Sequence, residues 1–194
     1  MKRSKIKTIA AAFFTLVVLG AISCGAAERD GAEVATERTT AAAEPLGVGE
    51  SAPDFTLATV DGRSVRFADA VASSRGVVLW LTNLCGGCRE KMPALQDIYL
   101  AYEGKVEIVA VSQLGAEAAP VREAVEEFGL TFPFLIDPEG EVTRLYGYEY
   151  VPDSCPLTNI YFIDREGVIR GLGHYPGLSR EELTEKIETL VKEG

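Results

Sequence analysis

The sequence is poor in the residues that metal sites and nucleic-acid surfaces need. Its 194 residues include one His (His174), one Trp (Trp80) and two Met. One imidazole and a few cysteines leave little to build a zinc site, which takes four N or S donors when structural. Cations are scarce as well: 19 Lys and Arg stand against 29 Asp and Glu, for a formal charge of −10. Such an acidic chain argues against nucleic acid as a partner and against polybasic attachment to anionic lipid. The four cysteines, Cys24, Cys85, Cys88 and Cys155, are too few for a disulfide-stapled scaffold. No internal repeat is visible, and neither a metal nor a cofactor is expected.

What is present begins with a leader. Lys2, Arg3, Lys5 and Lys7 precede an apolar run from Ile9 to Ile22. The run is short for a membrane span and is flanked like a secretory signal. It ends in Ala21-Ile22-Ser23-Cys24, which resembles the lipobox of bacterial lipoproteins, with Ala21 where those motifs usually carry Leu. The resemblance implies a signal peptide over 1–23 and acyl chains on Cys24. The protein would then be exported and lipid-anchored at the outer face of the cytoplasmic membrane or in the periplasm. An ordinary signal peptide cut nearby, releasing a soluble protein, is the alternative. Residues 24–47 are rich in Ala, Glu, Thr and Gly and read as a flexible linker. Residues 48–194 are periodic and long enough for one domain with its own core.

Within that domain, Asp54–Leu57 and Ser64–Phe67 flank the turn signal Asp61-Gly62 and predict a hairpin. Val77–Thr82 and Val106–Val111 are continuous apolar runs, the pattern of strands buried on both faces. Helical spacing of apolar residues spans Arg89–Tyr102 and Ala118–Phe128. Phe132–Leu135 predicts a short strand closed by Asp137-Pro138-Glu139-Gly140, and Val142–Tyr146 a helical turn or two. Ile160–Ile163 and Val168–Arg170 predict antiparallel strands, and Ser179–Val191 a last amphipathic helix opened by the capping box Ser179-x-x-Glu182. The order implies an α/β domain of three layers around a mixed sheet.

The chemistry gathers at Cys85-Gly86-Gly87-Cys88, where a buried strand ends and a helix begins. A cysteine at a helix N-terminus meets unpaired N–H groups and the positive end of the dipole, which lower its thiol pKa. Two intervening residues put the second sulfur one turn inside the helix, within disulfide range. Cys85 is thus expected as the exposed nucleophile, Cys88 as the buried resolving thiol, and the pair as a redox-active disulfide. Arg89 follows and would assist the thiolate electrostatically. A structural disulfide or half a zinc site are the blander readings.

The segment Val77–Leu95, containing Leu84-Cys85-Gly86-Gly87-Cys88 and Pro93, resembles the active-site segment of thioredoxin-like oxidoreductases of the TlpA/ResA type. Gly49–Leu57 resembles the N-terminal segment those proteins share with peroxiredoxins, and Tyr161–Gly167 resembles their late strand and turn. The resemblance implies a thioredoxin fold: α/β/α in three layers, with a central mixed sheet and an N-terminal β-hairpin extension. It also implies exchange with protein disulfide or dithiol substrates and recharging by a membrane thiol donor. Several positions depart from the pattern. Leu84 replaces the usual Trp, Lys91 an acid, Leu79 a polar strand residue, and Thr158 stands where a cis-proline is expected, with Pro156 two residues earlier. If the fold holds, Cys155 lies near the active site, where it would resolve a mixed disulfide or bind a substrate thiol; equally, it would be a small buried apolar residue.

Two rival functions remain open. Thr82, three residues before Cys85, matches part of the peroxiredoxin pattern P-x-x-x-T-x-x-C and suggests a thiol peroxidase. Against it, Val78 holds the Pro position and Thr158 the place of the peroxide-binding Arg. A non-catalytic lipoprotein that binds a partner through a redox-silent domain is the other rival.

Overall fold

Val77 to Leu81 are all buried, and their side chains alternate between two separate apolar layers. They form the middle of β3 (Gly76–Thr82), which has neighbours on both sides and helices over both faces. The computed structural model describes residues 44–193; the leader 1–23, Cys24 and residues 24–43 of the linker lie outside the described residues. Its strands are β1 (Thr56–Thr59), β2 (Ser64–Arg66), β3, β4 (Val106–Ser112), β5 (Phe134–Ile136), β6 (Ile160–Asp164) and β7 (Ile169–Gly173). Its helices are α1 (Phe67–Ser73), α2 (Gly86–Ala101), α3 (Ala119–Phe128), α4 (Glu141–Leu145) and α5 (Arg180–Glu193).

The seven strands form one sheet in the order β2-β1-β5-β4-β3-β6-β7. β3, β4 and β5 run parallel, joined through α2 and α3, while β6, β7 and β1 are antiparallel to their neighbours. Two successive crossovers in the same direction along the sheet must share a face if both are right-handed. Accordingly α2, α3 and α5 pack together on Val78 and Trp80, through Met92, Leu95, Val121, Leu183 and Ile187. The opposite face, with Val77, Leu79 and Leu81, is covered by Phe67 of α1, Val142 of α4 and Tyr146. This is the mixed-sheet, three-layer α/β architecture expected, with the β1–β2 hairpin as the N-terminal addition.

The differences are local. Phe67 opens the short helix α1 instead of ending the hairpin strand, and its ring stacks on Phe55 with centroids 4.8 Å apart. Burial of one aromatic side chain, worth about 1.5–3 kcal/mol, holds a helix that has no side-chain cap at its start. Leu46, assigned to the linker by composition, packs against the second core layer and its N–H bonds to Tyr146 O. The capping box of α5 is made both ways: Glu182 N–H donates to Ser179 Oγ and Ser179 N–H to Glu182 Oε2. No described helix is long and apolar enough to cross a membrane.

Candidate active site

The site lies at the C-terminal end of β3, where the chain turns sharply into α2. Leu84 adopts φ 58°, a left-handed conformation that costs a leucine about 1–3 kcal/mol. Two local bonds hold it: Leu84 N–H donates to Thr82 Oγ1 at 3.1 Å, and Cys85 N–H donates to Asn83 Oδ1 at 3.2 Å. The turn delivers Cys85 to the N-cap of α2 with its side chain exposed. Cys88 lies one turn on, in line with Met92 and Leu95 on the core face of the helix, and is only 1 % exposed. Its N–H donates to Cys85 Sγ at 3.3 Å, and the two sulfurs are 2.9 Å apart.

The glycines between them differ in kind. A Cβ on Gly87 would fall 2.9 Å from Pro176 Cγ, so the loop after β7 closes over that position; a Cβ on Gly86 would meet nothing within 4 Å. Tyr175, next to Pro176, fills the space behind α2: its ring stands edge-on to Trp80 at 5.4 Å and its hydroxyl donates to Lys91 O at 2.8 Å. Buried Asn159 fixes this loop by donating to Tyr175 O and accepting from Tyr175 N–H.

The β3–β6 pairing brings a second segment to the site. Leu81 N–H donates to Asn159 O at 2.8 Å, which sets the loop before β6 against the turn before α2. Cys155 therefore reaches the dithiol. Asn83 N–H donates to its sulfur at 3.1 Å, its own S–H donates to Asn83 Oδ1 at 3.1 Å, and its thiol interacts with that of Cys88. It is half-buried, so it is neither a sealed core residue nor a freely exposed one. Pro156 and Thr158 follow it in the chain, both half-buried, and no cis peptide bond occurs among the described residues.

The three thiols are perturbed in different directions. The Cys155 interaction, then burial, pushes Cys88 far above the ordinary thiol range. Cys155 is held below its ordinary value, first by the Cys88 S–H and then, after an opposing burial effect, by Asn83 N–H and Asn159. Cys85 is raised by partial burial and by the Cys88 thiol, and the N–H groups of Cys88 and Gly87 only partly offset this. The helix-end contribution expected from sequence is present, but in the reduced dithiol it is outweighed. No carboxylate is among the leading influences on any of the three.

Other expected residues sit elsewhere in the site's chemistry. Thr82 turns its hydroxyl toward Cys88 and Leu84 N–H, away from the peroxidatic role its spacing suggested. Arg89 is engaged by α3, ion-paired to Glu127 with its guanidinium over the Phe128 ring at 5.3 Å. His174 is exposed in the loop after β7, and no group of three or more His, Cys, Asp or Glu among the described residues is arranged to hold a metal. Asn83 was missed in the sequence, where it reads as a polar strand terminus. Besides Cys85 and Cys155 it reaches Asp153 O through Nδ2 at 2.7 Å, and it joins the two loops of the site.

Known proteins resemble this chain in sequence and in fold. Residues 48–172 match the AhpC/TSA family. The thioredoxin-like protein YneN of Bacillus subtilis is 33 % identical over 142 residues, 72 % of this chain and 78 % of YneN. The thiol–disulfide oxidoreductase ResA of Geobacillus thermodenitrificans is 32 % identical over 157 residues, 80 % of this chain and 82 % of ResA. A crystal structure provisionally described as the thiol:disulfide interchange protein DsbE of Chlorobium tepidum superposes with a TM-score of 0.60 at 28 % identity, covering 75 % of this chain and 99 % of that one. The chain belongs to the AhpC/TSA family, as a thiol–disulfide oxidoreductase of thioredoxin fold similar to ResA.

Proposed function

We propose that this oxidoreductase works outside the cytoplasm, exchanging disulfides with protein thiols through Cys85 and Cys88. The observation that carries the reading is the pairing of an exposed N-cap sulfur with a buried one 2.9 Å behind it. The Cys85 thiolate attacks a substrate disulfide, joining Cys85 to one substrate sulfur and releasing the other as thiolate. Cys88 then attacks Cys85 Sγ, the mixed disulfide breaks, and the second substrate thiolate leaves with the Cys85–Cys88 disulfide formed. A membrane thiol donor returns the pair to the dithiol. Exposed Val151 and Leu157 (88 % exposed) on the loop that bears Cys155 offer an apolar landing for an unfolded polypeptide.

The location rests on the leader, on Cys24 as an acylation site, and on a compartment where disulfides persist. Radiolabelled fatty acid incorporated into the full chain, and lost in Cys24→Ala, tests the anchor; a soluble, unlabelled product would remove it. For the chemistry, the purified protein is expected to accelerate insulin reduction, with Cys85→Ser at background and Cys88→Ser accumulating a mixed disulfide through Cys85. Insulin reduction undiminished by Cys85→Ser would overturn the reading. The peroxidase alternative is disfavoured by Thr82, whose hydroxyl serves Cys88 and the Leu84 turn.

A further inference from the structure

Cys155 is a thiol the two-cysteine exchange does not use, yet it is the sulfur most thoroughly built into the site. Asn83 grips it with a donor and an acceptor, each at 3.1 Å, and Asn159 contacts it as well. A cysteine serving only as a small apolar filler would need no such partners. Its other neighbour is Cys88, which thus meets two thiols: Cys85 Sγ at 2.9 Å and the thiol of Cys155, held beside the pair by Asn83, whose Oδ1 also accepts from Cys85 N–H. One sulfur within reach of two others is what thiol–disulfide exchange requires, since the attacking and leaving sulfurs must both meet it.

We propose that Cys155 is a third redox thiol, which takes Cys88 from the Cys85–Cys88 disulfide and holds the oxidising equivalent as an inner Cys88–Cys155 disulfide. This rests on the reading of Cys85 and Cys88 as an exchanging pair. In the step, the Cys155 thiolate attacks Cys88 Sγ. The Cys88–Cys155 bond forms, the Cys85–Cys88 bond breaks, and the electron pair leaves on Cys85 as an exposed thiolate that takes its proton from water. One disulfide is made and one lost, so no outside oxidant or reductant enters. The reverse step restores the outer disulfide. In the disulfide state Cys88 has no S–H to donate, and Asn83 N–H, 3.1 Å from the Cys155 sulfur, is the donor that stabilises the attacking thiolate. The consequence is a site whose disulfide sits inside while Cys85 is again free to attack.

Trypsin separates the alternatives, because Cys85 and Cys88 share the peptide Gly76–Arg89 while Cys155 lies in Leu145–Arg165. The full chain carrying Cys85→Ser is oxidised with oxidised glutathione, digested without reduction and weighed by mass spectrometry. The expected product is the two peptides joined through Cys88 and Cys155 and separated by dithiothreitol, with the same species in partly oxidised wild type and none in Cys155→Ser. Wild-type protein with an internal disulfide in Gly76–Arg89, but no joined peptides in wild type or in Cys85→Ser, would overturn the third-thiol proposal alone. Wild-type protein with neither disulfide would overturn the Cys85–Cys88 reading beneath it. Because the wild-type measurement needs no substitution, misfolding of a variant leaves the outcome readable.

Discussion

Asn83 and Cys155, 72 residues apart, hold each other through two hydrogen bonds of 3.1 Å, one in each direction. The side chain of Asn83 also accepts from Cys85 N–H and donates to Asp153 O, so one amide ties the turn that carries Cys85 to the loop before β6. Asn83→Ala removes the side-chain bonds and leaves polar groups of a half-closed site to water. A loss of about 1–3 kcal/mol is expected in urea unfolding. Faster hydrogen exchange at Asp153–Leu157 is expected with it; unchanged exchange there would show that the loop is held by other contacts.

The thiols make stability pH-dependent in the reduced protein. Cys88 holds its proton more tightly folded than unfolded, through Cys155 and burial, so the folded state carries the extra proton above the ordinary thiol value of 9.0. Stability then falls as pH rises past 9.0, by up to about 1.4 kcal/mol per pH unit for one proton. Cys155 acts in the opposite sense: its depressed value means that stability rises with pH between that value and 9.0. Chemical denaturation of reduced protein from pH 7 to 10 is expected to show a maximum near the ordinary thiol value. Cys155→Ser should remove the rising limb, and a Cys85–Cys88 disulfide the fall contributed by Cys88.

Cys85 should be the first thiol alkylated, because it is exposed, but not a fast one at neutral pH. Partial burial and Cys88 raise its proton affinity. Its reaction with iodoacetamide is expected to quicken roughly tenfold per pH unit from pH 7 upward, without a plateau before the ordinary thiol value. A plateau below pH 7 would mean that the helix N-terminus dominates after all.

The two central glycines predict opposite responses. Gly87→Ala forces Cβ to within 2.9 Å of Pro176 Cγ, and overpacking of this kind costs about 1–3 kcal/mol unless the loop yields. Gly86→Pro meets open space at the first helical position, and Cys85 at φ −56°, ψ 163° already has the extended backbone that precedes proline. It should stabilise by about 0.4–1 kcal/mol. Thermal unfolding of both variants decides; equal shifts in the same direction would refute the assignment.

Gly140 supports the site from a distance. It has φ 66°, and a Cβ there would fall 1.9 Å from Tyr150 Cγ, inside the ring. Gly140→Ala must expel Tyr150, which sits five residues before Cys155 in the same loop, and should lower the melting temperature. A melting temperature equal to wild type would show that the Tyr150 packing is dispensable.

Local patterns were readable in the chain because they depend on neighbours a few residues apart. The unbroken apolar run Val77–Leu81 predicts a central strand, and its layers differ only by the period-two alternation of Val78 and Trp80 against Val77, Leu79 and Leu81. Cys85 and Cys88, three residues apart across a strand-to-helix junction, could be placed as an outer and an inner sulfur from helix geometry alone. Helix α1 was hidden because it is seven residues long, uncapped and held by Phe67 stacking on Phe55.

By itself, then, the sequence determined the layered α/β domain, the C-x-x-C centre and the order in which its sulfurs face solvent. Only the tertiary structure decided that Cys155 joins them, that Arg89 turns away to Glu127, that Thr82 serves Cys88, and that Gly87 rather than Gly86 is crowded. Each of these depends on partners brought together by the β4-β3-β6 strand order and the packing of α3 and the Pro176 loop on α2. Such partners are separated by up to 89 residues, the distance in sequence from Gly87 to Pro176, and no local periodicity encodes which of them will meet.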